Sequence, residues 1–352
     1  MAIRKVCVAM SGGVDSAGAA LLLRQQGYEV FGVTLRLRSA GASDPQEQDI
    51  ADARSVADTL GISHTVLDLR ELFQREVMDH FVSEYVAGRT PNPCVDCNRC
   101  IKFGALLDWA LDHGADALAT GHYARVGRDE ASGRHLLLRG TDRQKDQSYV
   151  LYQLTQHQLS HLLLPVGSCE KPQLRAMAEQ AGLRNAHRAD SQDICFIPDG
   201  DYVAFLRSYG GVASVPGDFV DLEGRVLGRH QGLECYTTGQ RKGLGVSAGV
   251  PVYVVRKDLE TGTVVLGPNS ALYTRELTAD RVNLISVDHL EGPLQVTAKT
   301  RYTQQEAEAT VEPLPDGRIR VTFQEPQRAV TAGQAVVLYQ GEAVLGGGTI
   351  CS

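Results

Sequence analysis

Two groups of residues in this chain have types and spacings that can do chemistry. The first is Ser11-Gly12-Gly13-Val14-Asp15-Ser16, placed between the apolar run Val6–Met10 and the apolar stretch Ala17–Leu23. A strand, a Gly-rich turn and a helix in that order make an anion site. The glycines let the backbone approach a phosphate without a Cβ clash. The free N–H groups and the helix dipole then hold the negative charge. No Gly-Lys-Ser/Thr follows, so this is not a Walker A loop. A plain strand-to-helix turn uses the same residue types. The second group is made of thiols. Cys94-Val95-Asp96-Cys97-Asn98-Arg99-Cys100 follows Thr90-Pro91-Asn92-Pro93. A spacing of three suits metal or redox chemistry, but zinc needs a fourth ligand and usually a second paired motif. None follows. The two prolines force an extended approach, which predicts that the first thiols lie at a turn rather than inside a helix. Cys195, in Asp190-Ser191-Gln192-Asp193-Ile194-Cys195-Phe196, has apolar neighbours on both sides. Such a cysteine packs as a small hydrophobe unless a cation or helix N-terminus lowers its pKa.

These residues need elements to position them. Val6–Met10 and Val30–Leu37 read as strands, and Ala17–Gln26 and Asp49–Leu60 as helices; Ile50, Ala53, Ala57 and Leu60 recur at helical spacing. His64–Leu67 and Ala117–Ala119 read as further strands, with a helix over Lys102–Leu111 between them, and Cys100 suits a helix start. Ser39–Gln48 reads as a polar loop. Alternating strands and helices imply an α/β fold with a parallel sheet, whose ligands bind beyond the carboxyl ends of the strands. The turns Ser11–Ser16 and Thr120-Gly121-His122 both fall there. Near residue 200 the rhythm changes at Pro198-Asp199-Gly200-Asp201. A small Gly-rich middle domain is expected over 201–269 and a C-terminal β-barrel over 270–352, after a catalytic domain over 1–200. The barrel rests on short β segments such as Gln295–Ala298, Arg318–Phe323 and Ala335–Tyr339, separated by turns.

The bulk composition bounds the rest. A chain of 352 residues suits two or three domains. At 43% hydrophobic and 22% charged it is ordinary for a globular protein. No apolar run approaches the roughly 20 residues that cross a bilayer, and the start lacks a signal peptide, so a cytoplasmic protein with no membrane partner is expected. The net charge of −7 argues against a blanket nucleic-acid coat and leaves room for a local basic groove. Eight cysteines, three of them in one cluster, suggest metal or redox chemistry rather than a disulfide framework.

Joined in order, these segments resemble the tRNA-specific 2-thiouridylase (MnmA) family of PP-loop ATP-pyrophosphatases. The resemblance rests on the Ser11–Ser16 loop, Asn92-Pro93-Cys94-Val95-Asp96-Cys97-Asn98 and Ser191–Phe196. It rests also on Ala119-Thr120-Gly121-His122-Tyr123-Ala124-Arg125, Lys145-Asp146-Gln147-Ser148-Tyr149 and Tyr236–Gly245. It covers nearly the whole chain. It implies that ATP adenylates the C2 oxygen of the wobble uridine, at position 34, and that a persulfide then delivers sulfur. The products are 2-thiouridine, AMP and pyrophosphate. The chemistry has a reason: a carbonyl oxygen leaves poorly and AMP leaves well. By the resemblance Cys97 is the nucleophile and Cys195 carries the persulfide, and the two form a disulfide during turnover. Many relatives carry Asp where this chain has Cys94. An alternative route is an iron–sulfur cluster on Cys94, Cys97 and Cys195.

The resemblance also implies contacts. Ala9, Met10, Ser11, Gly12, Gly13, Val14, Asp15 and Ser16 would wrap the ATP phosphates. Leu35 and Gly121 would flank the adenine, and Asp15 and Ser16 would orient Mg²⁺. Asn92, Pro93 and Cys94 would meet the target base, and His122 would guide it. Lys145, Asp146, Gln147, Arg301, Tyr302 and Gln334 would contact tRNA. The implied partners are the wobble-uridine tRNAs for Lys, Glu and Gln, and a sulfur donor such as a cysteine desulfurase or a relay protein. Other expectations remain open: a PP-loop ligase acting on a small molecule, or a nucleotide-gated RNA-binding protein.

Overall fold

The computed structural model describes residues 3–38, 45–188, 194–247 and 249–351. The N-terminal part is built on β1 (Lys5–Ala9), β2 (Glu29–Arg36), β3 (His64–Asp68) and β4 (Ala117–Ala119). A hairpin follows, β5 (Ala124–Arg128) and β6 (His135–Arg139), then the short β7 (Leu162–Leu163). The parallel sheet has the order β3-β2-β1-β4-β7. Its centre is apolar because helices cover both faces: Val6, Cys7 and Val8 are all fully buried. Helix α1 (Val14–Gln25) follows β1, and α2 (Pro45–Leu60) follows β2. Strand order reverses between β1 and β4, which opens a crevice at their carboxyl ends. Both loops singled out in the sequence leave the sheet there. Residues 45–48, expected in a loop, form the first turn of α2; Pro45 suits a first turn, where its missing N–H has no helical partner. Residues 39–44 lie outside the described residues.

Two helices carry the thiol side of the site, and each contains a π-helical stretch. The first runs through α3 (Arg70–Phe73), a π stretch Gln74–Asp79 and α4 (His80–Val86). The second runs through α5 (Pro93–Asp96), a π stretch Cys97–Ala105 and α6 (Leu106–Asp112). The expected helix at 102–111 therefore starts nine residues earlier, at Pro93. Cys94 and Cys97 lie inside it, not at a turn, and Cys100 lies within it rather than at its start. The proline argument holds for Pro91 and fails for Pro93, which occupies the first helical position with the Asn92 side chain accepting from the Cys94 N–H.

Helices α7 (Gln156–Ser160), α8 (Lys171–Gln180) and α9 (Tyr202–Ser208) lead to the middle part. Its strands β8 (Gly217–Val220), β9 (Val226–His230), β10 (Tyr253–Asp258) and β11 (Thr263–Gly267) pair in the order β10-β11-β8-β9. The C-terminal strands are β12 (Tyr273–Leu284), β13 (Leu294–Lys299), β14 (Ala307–Pro313), β15 (Ile319–Arg328), β16 (Ala335–Gln340) and β17 (Ala343–Ile350). They run β12-β15-β14-β13-β16-β17, and β17 pairs back to β12, closing a barrel. The hairpin β5–β6 adds to the barrel's β17 through Ala343 and Leu138. Arg139 fastens this seam: it lies 3.9 Å over the Tyr339 ring and pairs with Glu306. The parallel sheet and the barrel share one apolar cluster, which runs from Cys7 and Val33 to Val337, Tyr339 and Val344.

Candidate functional site

The first loop presents backbone amides with little of its own to satisfy them. Met10 N–H donates to Val33 O at 2.8 Å, tying the loop to β2. Gly12 has φ +75°, and a Cβ there would sit 2.6 Å from the Asp49 carbonyl oxygen of α2. Only glycine fits. The Gly12 carbonyl is turned inward, accepting from Asn185 Nδ2 at 3.0 Å and Arg188 Nη1 at 3.4 Å. Arg188 is in turn held by Asp49 and Asp52. Gly13 caps α1, and among the described residues no side-chain bond caps that helix. Those amides are therefore available to an anion. The Ser16 hydroxyl belongs to the loop itself, donating to Gly13 O at 3.0 Å and accepting from Ser11 N–H at 3.1 Å.

Asp15 has partners that sequence reasoning missed. Lys171 Nζ, at the start of α8, lies 2.7 Å from both carboxylate oxygens, and Tyr123 OH donates to Oδ1 at 2.8 Å. Lys171 is 156 residues from Asp15, so no spacing rule connects them. Lysine at the start of a helix, where a cation is disfavoured, was the available signal.

The second loop is pressed against the first. A Cβ on Gly121 would sit 2.5 Å from Asp15 C and 2.6 Å from Ser16 N. The next residue, His122, is buried, and its Nδ1 lies 2.7 Å from Thr120 Oγ1. Its ring centroid is 5.7 Å from that of Phe103, on the thiol-bearing helix. Burial, helped by the Lys102 cation, holds the His122 pKa well below the usual range, so the ring is neutral at pH 7. Leu35, on β2, is partly buried between two apolar clusters.

The thiols line the other wall. Cys94 and Cys195 are exposed, while Cys97 is 9% exposed and packs with Phe73, Phe81 and Phe196. The Cys195 carbonyl accepts from Arg38 Nη1 at 2.6 Å. Desolvation pushes all three thiols up, Cys97 to about 12. Cys94 and Cys195 raise Cys97 further, which places the three within electrostatic reach of one another. Lys102 opposes the rise at each of them. It is the cation common to the thiols and His122, and sequence reasoning missed it. In a π-helix it lies about one turn beyond Cys97. Cys100 stands apart, with its Sγ 3.9 Å from Glu76 Oε2. Among the described residues no three His, Cys, Asp or Glu side chains are placed to hold a metal ion.

With this geometry in hand, comparison with known proteins is decisive. The sequence models of the tRNA methyl transferase HUP domain, PRC-barrel domain and aminomethyltransferase β-barrel domain match residues 4–199, 203–268 and 274–350. The tRNA-specific 2-thiouridylase MnmA of Acetivibrio thermocellus is 49% identical, over 99% of this chain and 100% of its own length. That of Pelotomaculum thermopropionicum is 50% identical, over 98% of this chain and 97% of its own. The chain belongs to the MnmA family. A solved 4-thiouridine synthetase–RNA complex with bound ATP has a TM-score of 0.35 at 17% identity, over 58% of this chain and 50% of that one. That likeness is too low to bear on the chemistry.

In this MnmA family member, several of the residues expected at tRNA are engaged within the protein. Asp146 Oδ1 accepts from the N–H groups of Gly140 and Ser148, at 2.9 and 3.2 Å. Gln147 clips the second loop, donating its N–H to Tyr123 O and accepting from Tyr123 N–H at 3.0 Å. Lys145 is half-buried at the same turn. Arg301 Nη2 donates to Thr238 O, Ala329 O and Thr331 Oγ1, fastening the middle part to the barrel. Tyr302 is 38% exposed, with Lys299 Nζ 6.0 Å from its ring centre. Gln334 Nε2 donates to Thr90 O at 2.7 Å and Pro91 O at 3.3 Å. It thereby fixes the turn that leads into Asn92, Pro93 and Cys94. Residues 189–193 of the Cys195 segment lie outside the described residues. Among the described residues no helix is long and apolar enough to cross a membrane.

Proposed function

We propose that this chain makes 2-thiouridine at the wobble position of tRNA. ATP adenylates the C2 oxygen of uridine 34 and pyrophosphate leaves. A persulfide on Cys195 then attacks C2 and displaces AMP. Cys97 next attacks the Cys195 sulfur, forming a disulfide as its proton passes to the uridine ring and the thiocarbonyl is released. The observation that carries this reading is a chain of contacts from phosphate loop to thiols. Gly121 rests on Asp15 and Ser16, its neighbour His122 meets Phe103, and the adjacent Lys102 acts on His122, Cys97 and Cys195.

Ala9, Met10 and the Ser11–Ser16 amides bind the triphosphate, with Leu35 and Gly121 beside the adenine. Asn92, Pro93, Cys94 and the neutral His122 hold the flipped base, and Lys145 and Tyr302 meet the RNA. The Asp15 carboxylate is already taken by Lys171 and Tyr123, so it does not fit a Mg²⁺ site as it stands, and no step runs through the metal. Nor does any step run through an iron–sulfur cluster. The substrates are the tRNAs for Lys, Glu and Gln, and a cysteine desulfurase or relay protein loads Cys195, in the cytoplasm. The three parts of the chain divide near residues 200 and 270. The test is a trap. C195S, given unmodified tRNA and ATP labelled at the α-phosphate, should place label on the tRNA without thiolating it. Label that stays on free nucleotide with wobble-uridine tRNA in excess would overturn the proposal.

A further inference from the structure

Cys94 is a third thiol for which the reaction above has no use beyond base contact. It occupies the second position of a helix whose N-terminus is capped by Asn92, and Cys97 follows three residues later in helical conformation. Ideal helix geometry puts Cα atoms three residues apart at about 5 Å, inside the range a disulfide spans. The pair has an exposed first thiol and a buried second thiol at a helix N-terminus. That is the arrangement in which two cysteines exchange a disulfide with their surroundings. All eight cysteines are free in the structure, so none of these thiols is committed elsewhere. Cys100, at the same spacing on the other side of Cys97, is turned to Glu76 instead.

We propose that Cys94 is the resolving thiol of this site, taking over Cys97 as disulfide partner and returning Cys195 as a free thiol for reloading. The proposal rests on the thiouridylase reading. The Cys94 thiolate attacks Cys97 Sγ of the Cys97–Cys195 disulfide. The Cys94–Cys97 bond forms as the Cys97–Cys195 bond breaks. The electron pair leaves on Cys195, which takes up a proton in place of the one Cys94 lost. Cys94 is oxidised and Cys195 reduced in that step, so the exchange needs no outside oxidant or reductant. A dithiol reductant then opens Cys94–Cys97 from the exposed Cys94 side, supplying two electrons and two protons. Buried Cys97 is thus the shared inner partner. Cys195 never waits in a mixed disulfide with the reductant. Lys102, acting on all three thiols, favours whichever one carries the negative charge during exchange.

Disulfide mapping tests this directly. The full chain, loaded with persulfide and given ATP and unmodified tRNA without reductant, is allowed one turnover, alkylated and digested with trypsin. Thr90–Arg99 contains Cys94 and Cys97 but neither Cys100 nor Cys195. The expected product is that peptide with an internal disulfide, about 2 Da lighter than its reduced form, with Cys195 alkylated. In C94S the same peptide should instead be joined to peptide 189–207. The ratio of dithiothreitol-supported later turnovers to the first should fall about fivefold in that variant. Wild-type protein showing the 90–99/189–207 cross-link with Cys94 alkylated overturns the proposal, as does an unchanged turnover ratio in C94S. A second arm oxidises wild-type protein with one equivalent of diamide, without tRNA or ATP. If no thiouridine forms in the first arm, the functional reading fails, and the diamide arm still decides the pairing. Cys94–Cys97 supports it; Cys97–Cys195 or Cys94–Cys195 overturns it.

Discussion

Replacing Lys171 with methionine probes how the Ser11–Ser16 loop carries its charge. Lys171 Nζ lies 2.7 Å from Asp15, and its side chain is 7% exposed against 33% for Asp15. At an effective dielectric constant of about 20, two unit charges roughly 3 Å apart attract by about 5–6 kcal/mol. Desolvation of the lysine and solvent access to Asp15 return most of that, leaving a net coupling of about 1–3 kcal/mol. The consequence for ATP should be of the same order. K171M leaves the Asp15 charge without its lysine, Oδ1 still accepting from Tyr123 OH, in the loop proposed to receive a triphosphate, and ATP affinity should fall roughly 10- to 100-fold, or about 1.4–2.8 kcal/mol. Removing the carboxylate as well should reverse much of this, so K171M/D15N should bind ATP at least about fivefold tighter than K171M. The assay is equilibrium ATP binding without tRNA at fixed salt and Mg²⁺, paired with urea unfolding of all four proteins of the cycle. The reasoning is refuted if K171M binds ATP like wild type. It is refuted equally if the double variant matches K171M and the stability effects add to within about 0.5 kcal/mol.

Other substitutions test separate contacts. Gly121→Ala drives a Cβ into the Asp15–Ser16 backbone, so ATP affinity should drop more than about tenfold with circular dichroism unchanged; normal ATP binding would contradict the close approach. Gln334→Ala removes two bonds to the turn before Cys94. It should cost about 1–2 kcal/mol in unfolding and lower thiolation while sparing ATP binding; equal losses in both would count against it. Burial pulls Lys257 from 10.5 to about 8. Its charged form is therefore penalised in the fold. Between those two values the unfolded chain holds the extra proton, so stability rises with pH across that window, and below about pH 8 the full penalty applies. K257M should accordingly raise stability at pH 7 by up to about 3 kcal/mol and flatten the rise above pH 8; a destabilised variant in thermal melts would show the burial argument to be wrong. Lys145→Ala should weaken tRNA binding and lower its salt slope by about one unit while sparing ATP, as filter binding at several salt concentrations would show.

Local rules read most of the parallel sheet. Val6–Met10 as a strand shifts by one residue to Lys5–Ala9, and Ala117–Ala119 is unchanged, because buried central strands are continuous apolar runs. The barrel strands at Gln295, Arg318 and Ala335 were visible for the related reason that alternation marks one wet face. The hairpin Ala124–Arg128/His135–Arg139 escaped notice because its partner is β17, some two hundred residues away, and its first strand, Ala-Arg-Val-Gly-Arg, carries no apolar run. The helix at Pro93 was missed because proline was weighed as a breaker and not as a first helical residue. At the site, the glycines were legible because they answer to backbone approach. Lys171, Arg188 and Lys102 were not. Each acts across the fold on a group from another element or another turn, and no periodicity encodes such a meeting.

One experiment bears on the central claim that nucleotide activation and thiol chemistry share a pocket. Wild-type protein is given ATP, a persulfide donor and unmodified wobble-uridine tRNA, and AMP, pyrophosphate and 2-thiouridine are counted together. The account predicts equal amounts of all three, each requiring the tRNA. Thiouridine formed without ATP, or at the wild-type rate by C195S, would contradict it.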